Sequence, residues 1–64
     1  MRKASEIYRA GDWSSCEIKS DHEKDTAEIT VLERKTEISL IFKVKNYHAG
    51  PGKWRIVEDQ EMKS

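Results

Sequence analysis

One stretch with strict apolar–polar alternation, Glu37–Asn46, constrains the fold of this chain more than any other. Its regularly spaced apolar residues are Ile38, Leu40, Phe42 and Val44. Successive side chains of a β-strand point to opposite faces, so this period of two predicts a strand with one apolar face. Ile41 is the exception, because it lies on the face that otherwise carries Ser39 and Lys43. The stretch therefore predicts a strand at the centre of a small sheet.

The N-terminal segment Ala4–Ala10 predicts a short helix. Its apolar residues have the spacing of one helix face, and Gly11 is a residue type that favours helix ends. Two helical turns are not stable alone, so we expect this helix to pack on the sheet. A short strand over residues 5–9 is the alternative.

Three more strands are predicted from alternation and from β-branched residues. With the central stretch, the predicted strands are Trp13–Ser20, Thr26–Arg34, Glu37–Asn46 and Lys53–Asp59. Before the last strand, Pro51 and Gly52 favour a type II turn in which Gly52 has a positive φ. The short connections between the strands require antiparallel neighbours.

These elements predict an α+β fold: a short N-terminal helix on a four-stranded antiparallel β-meander. A small five-stranded β-barrel of the Src-homology-3 kind is the alternative, if residues 5–9 form a strand. Residues 1–64 form a single small domain, with residues 1–3 and 60–64 as flexible ends. The predicted core comprises Ile7, Cys16, Ile18, Ile29, Val31, Ile38, Leu40, Phe42, Val44, Trp54 and Ile56.

Length and composition limit how much this chain can bury. It has 64 residues, of which 36% are hydrophobic and 38% charged, and its one cysteine excludes an intrachain disulfide. A chain of this size is near the lower limit for folding alone, so a second copy would supply missing burial. No export signal or apolar span is recognised, and the lone cysteine fits a reducing compartment, which predicts a cytoplasmic protein without membrane contact.

The charges are balanced overall but segregated along the chain. Six acidic residues and only two basic ones lie between Cys16 and Glu33, whereas six basic residues and one acidic residue lie between Arg34 and Arg55. The formal net charge of zero removes the simplest argument for nucleic-acid binding. The segregation allows attraction between copies of the chain or contact between the basic side and an anion.

Three candidate chemical sites are rejected on residue type and spacing. The loop before Lys53 lacks the first glycine and the Ser or Thr of a phosphate-binding loop. The acids from Asp21 to Asp25 lack the glycine and the final glutamate of a calcium loop. Cys16, His22 and His48 are too few for a zinc site, and neither histidine has a compelling acid partner. No metal, cofactor or small-molecule substrate is expected, and the chain is predicted not to be an enzyme.

Two surfaces remain as candidate sites. Apolar residues outside the predicted core face suggest a protein interface formed by Trp13, Ile41, Tyr47 and Val57. Basic and aromatic residues around the 47–53 turn suggest, as an alternative, a surface for single-stranded nucleic acid. Its members are Lys43, Lys45, His48, Lys53, Trp54 and Arg55.

Residues 26–57 resemble the closing strands of cystatin-like domains of the nuclear-transport-factor-like superfamily. The resemblance rests on Thr26–Val31, on the hairpin into Ile38–Val44, and on Gly52–Val57 with its Gly-Lys-Trp-Arg-Ile wording. It implies a curved meander that tends to pair through its sheet.

The predicted function is a non-enzymatic protein-interaction module that is dimeric. It would be a small regulator or inhibitor of bacterial or phage origin.

Overall fold

The computed structural model describes residues 2–63, which form one α-helix, one β-sheet and two short 3₁₀ turns. The elements are α1 (Ala4–Ala10), β1 (Trp13–Asp21), β2 (Thr26–Glu33), β3 (Ser39–Lys45) and β4 (Arg55–Asp59). The strands form an antiparallel sheet in the order β1-β2-β3-β4, and α1 contacts β2 and β3. The predicted α+β meander is confirmed. The sheet is not closed, so the barrel alternative is wrong, because residues 5–9 are helical and supply no fifth strand.

The hydrophobic core lies between α1 and the two central strands. Alternate residues of β2 and β3 are buried, as the period of two in both stretches requires. The helix adds the side chains that cover them. The buried apolar residues are Ala4, Ile7, Ala27, Ile29, Val31, Leu40, Phe42 and Val44.

Two residues of the predicted core are largely exposed. Ile38 is 41% exposed and precedes the first residue of β3, so it projects beyond the part of the sheet that α1 covers. Ile18 is 43% exposed because β1 is an edge strand with a neighbour on one side only. Cys16, Trp54 and Ile56 are partly buried and pack against the core. Alternation therefore identifies the face correctly, but not the depth of burial along it.

The turn before β4 differs from the predicted type II turn. Its positive φ belongs to Gly50, at 105°, and not to Gly52. Two single 3₁₀ turns, Tyr47–Ala49 and Pro51–Lys53, lead into the strand instead. Hydrogen bonds from the Lys53 N–H to the Gly50 oxygen and from the Trp54 N–H to the Pro51 oxygen close the second turn, which keeps Gly52 at negative φ.

The two ends of the described chain run side by side. The Ala4 N–H donates to the Gln60 oxygen at 2.8 Å, and the Met62 N–H donates to the Arg2 oxygen at 2.7 Å. The Met62 side chain also packs against the core. Met1 and Ser64, the outermost residues of the predicted flexible ends, lie outside the described range.

Candidate interaction surface

The face of the sheet opposite α1, hereafter the open face, carries a row of alternating charges. Neighbouring strands place Lys19, Glu28, Lys43 and Glu58 side by side. The Lys43 Nζ lies 3.2 Å from a Glu58 carboxylate oxygen and 3.3 Å from a Glu28 carboxylate oxygen. Hydrogen bonds to Glu58 and then to Glu28 raise the pKa of Lys43. The charge of Lys43 is thereby neutralised within the sheet.

Two apolar residues interrupt the charges of the open face. Ile41 is half-buried, and its backbone N–H donates a hydrogen bond to the Gln60 side-chain oxygen at 2.9 Å. Val57 is 47% exposed, at a register shift between β3 and β4. It lines a shallow depression of about 350 Å³ together with Lys19, Glu28 and Lys43. The open face thus combines apolar contact area with charged groups of both signs.

The structure does not bring the four predicted interface residues together. Ile41 and Val57 lie on the open face, whereas Trp13 and Tyr47 pack against the core on the other face. Trp13 stacks on Tyr8 at a ring distance of 6.0 Å, and its indole N–H donates to the Tyr8 backbone oxygen at 3.1 Å. A register shift between Trp13 and Ser15 breaks the alternation from which a position on the open face was predicted.

The predicted nucleic-acid residues are also divided. Lys43 is held by two carboxylates, and the Trp54 indole N–H donates to the Tyr47 oxygen at 3.0 Å while the ring packs against the core. His48 is engaged with Asp25. The remaining three residues, Lys45, Lys53 and Arg55, are exposed, and Lys45 and Arg55 are cross-strand neighbours.

A histidine–aspartate cluster lies where the β1–β2 loop meets the turn after β3. The Asp25 carboxylate accepts one hydrogen bond from the His48 backbone N–H at 2.8 Å, and the same carboxylate oxygen lies 2.6 Å from the His48 Nδ1. The backbone hydrogen bond and then the side-chain one lower the pKa of Asp25. His22 stacks on His48 at 4.3 Å. The expectation that neither histidine has a compelling acid partner is wrong for His48, because its pairing with Asp25 spans 23 positions and has no local signal.

Neither the Cys16 thiol nor the described carboxylates and histidines form an evident reactive or metal-binding group. Burial raises the pKa of the Cys16 thiol, which favours the protonated and less nucleophilic form at neutral pH. Within residues 2–63, no three side chains of His, Cys, Asp or Glu come together as metal ligands.

The two edges of the sheet differ in how well they are protected. β1 has nine residues, and no strand of the described residues 2–63 lies on its outer side. β4 has only five residues and is followed directly by the segment in which Glu61 pairs with Lys3. Short, covered or charged edges discourage pairing with other chains, and a long bare edge permits it. The outer edge of β1 is therefore a second candidate surface, beside the open face.

Comparison with known proteins adds no functional information. No protein-family model matches the sequence, and no curated protein or solved structure is significantly similar to it. The resemblance of residues 26–57 to cystatin-like domains accordingly stays a prediction. None of the helices in the described part of the chain is long and apolar enough to cross a membrane.

Proposed function

We propose that this protein is a non-enzymatic protein-interaction module, a small regulator or inhibitor that docks through its sheet. The observation that carries the proposal is the one-sided packing of the sheet. α1 covers one face at β2 and β3, and no described segment covers the open face or pairs with the outer edge of β1. A sheet with one bare face and one bare edge offers both main modes of sheet docking.

The composition of the open face supports a protein partner. Ile41 and Val57 supply apolar contact area, and the charged row around Lys43 surrounds it. Protein interfaces combine an apolar centre with a polar rim in this way, and the rim selects the partner through its charges. The small size of the apolar area favours a reversible complex over a permanent one.

The chemistry of the buried and half-buried carboxylates also supports a binding role. Glu33, Asp59 and Asp25 accept hydrogen bonds from backbone N–H groups of a loop, a helix and a turn, respectively. Each carboxylate therefore holds two segments of the fold in place. These hydrogen bonds fix the loop, the helix and the turn around the sheet.

The test is capture of a protein from an extract of the source cell by the immobilised chain, with nuclease added. Val57→Glu places a charge in the apolar part of the open face, and we expect it to weaken capture about tenfold or more. Ile38→Glu is the matched control, because Ile38 is similarly exposed but lies outside the open face. Both variants should keep the unfolding midpoint of the parent.

Equal capture by the parent, Val57→Glu and Ile38→Glu would contradict docking through the open face. Capture that disappears with nuclease would instead favour the single-stranded nucleic-acid hypothesis. That hypothesis has narrower support, because only Lys45, Lys53 and Arg55 of its six residues are exposed and outside the described ion pairs.

A further inference from the structure

The backbone of β1 has a row of hydrogen-bonding groups directed outward. The Glu33 N–H donates to the Ile38 oxygen, so Glu33 faces β3. Backbone groups along an antiparallel strand alternate between its two neighbours, so the next residue of β2, Leu32, faces β1 and pairs there with Ser15. The same alternation, continued along β1, directs the N–H and C=O groups of its residues 16, 18 and 20 away from the sheet.

We infer that a second copy of this chain pairs with this edge, β1 against β1, antiparallel, with Ile18 opposite Ile18 of the second copy. The inference rests on the proposed function and names one partner for it. A two-fold axis then passes beside Ile18, and the two sheets join into a continuous eight-stranded sheet. Cys16 of each copy then lies opposite Ser20 of the other. Together with the central Ile18 pair, these pairs allow about six hydrogen bonds between the outward backbone groups.

The charges that flank Ile18 select this register. Glu17 and Lys19 lie on the open face, and in this register each lies opposite the other residue of the second copy. A shift by two residues in one direction places Glu17 opposite Glu17, and a shift in the other places Lys19 opposite Lys19. Like charges directly opposite each other destabilise a strand pair, and opposite charges stabilise it. Of these three registers, only the one centred on Ile18 gives two attractive pairs.

The burial of Ile18 points to the same register. Ile18 lies opposite Ile29, which is fully buried, yet Ile18 itself is 43% exposed because no strand of the described residues lies on its outer side. Ile18 of a second copy would cover that side and extend the row of buried side chains across the two-fold axis. The exposed apolar residue and the outward backbone groups therefore occupy the same segment.

The test reverses one of the two charges in each variant and then mixes the two variants. In Glu17→Lys both pairs become lysine against lysine, and in Lys19→Glu both become glutamate against glutamate. We expect the parent to be dimeric at about 100 μM by light scattering after size exclusion, and each variant to dimerise about tenfold more weakly. An equimolar mixture of the two variants should recover the dimer, because all its cross-pairs are attractive. Glu23→Lys, in the loop after β1, is the matched control and should dimerise like the parent.

Three results would overturn the pairing: a parent that stays monomeric at about 1 mM, single variants that dimerise like the parent, and a mixture that stays monomeric. Far-ultraviolet circular dichroism of each variant confirms that its sheet is intact. A monomeric parent that still captures a protein in a Val57-dependent manner would refute the pairing and leave the proposed function standing. A dimer of this register that captures no protein in a Val57-dependent manner would support the pairing and contradict docking of a protein partner through the open face.

Discussion

Glu33 ends β2 and organises the loop that follows it. The residue is only 4% exposed, and its carboxylate accepts hydrogen bonds from the Lys35 and Thr36 backbone N–H groups and from the Thr36 hydroxyl. These bonds use an ionised acceptor, which makes them stronger than neutral ones. They lower the pKa of Glu33, with the Lys35 backbone bond as the main cause. The charge of one carboxylate thus stabilises the β2–β3 hairpin.

Glu33 should make the stability of the protein depend on pH. Its folded pKa is lowered from 4.5, so its contribution is fully present above pH 4.5 and is lost as the pH falls through the folded pKa. Glu33→Gln has no such charge at any pH. We expect a lower urea midpoint for Glu33→Gln than for the parent at pH 7, and a smaller difference at pH 3.

The control for this comparison is Glu37→Gln, at an exposed residue of the same loop. Its urea midpoint should follow that of the parent across the same pH range. A difference between Glu33→Gln and the parent that is constant with pH would mean that the Glu33 charge contributes nothing.

At the scale of the element, α1 depends on β4 for its N-terminal cap. The residue at the N-cap position, Lys3, makes no side-chain hydrogen bond to the helix. The Asp59 carboxylate takes that role, because it accepts the Ser5 N–H at 3.0 Å and the Ser5 hydroxyl. A negative group at a helix N-terminus also interacts favourably with the helix dipole. The cap and the docking of the helix are therefore one interaction.

Asp59→Ala should remove this cap and lower the free energy of unfolding by about 1–2 kcal/mol, as the loss of a helix cap does. Glu58→Ala is the matched control: its ion pair with Lys43 is exposed, and its loss should cost below about 1 kcal/mol. Urea unfolding measures both values. The double variant with Ser5→Ala should be less destabilised than the sum of the single variants, and additive effects would show that the hydrogen bond from the Ser5 hydroxyl to Asp59 contributes nothing.

The whole molecule depends on a small core formed by only a few side chains. Eight apolar residues are buried, and a chain of 64 residues has a net stability of roughly 3–10 kcal/mol. The loss of one large buried side chain is therefore comparable with the total. Residues at the margin of the core should matter far less.

Ile29→Ala and Ile38→Ala delete the same atoms, one set from a fully buried side chain and the other from a largely exposed one. Ile29 is fully buried and its replacement should cost about 2–5 kcal/mol, enough to unfold much of the protein at 37 °C. Ile38 is 41% exposed, and its replacement should cost below about 1 kcal/mol. Thermal unfolding followed by circular dichroism measures both. Equal losses would contradict the burial of these two residues.

Local patterns in the sequence are sufficient for the elements and for the face that the two central strands bury. The helix Ala4–Ala10 ends where Gly11 adopts a left-handed conformation, as a glycine there predicts. Alternation in β2 and β3 identified the buried side chains because both strands have neighbours on both sides and α1 above them. The signals are local because the period of a strand and the end of a helix depend on adjacent residues alone.

Tertiary structure alone decided how far each side chain is buried and which distant groups meet. Ile18 has the alternation of a core residue, but its exposure depends on the place of β1 at the edge of the sheet. Alternation along β1 predicts the wrong face for Trp13, because a register shift follows that residue. Asp59 caps a helix that begins more than 50 positions earlier. Burial and long-range hydrogen bonds depend on neighbours in space, and the order of residues along the chain does not specify those neighbours locally.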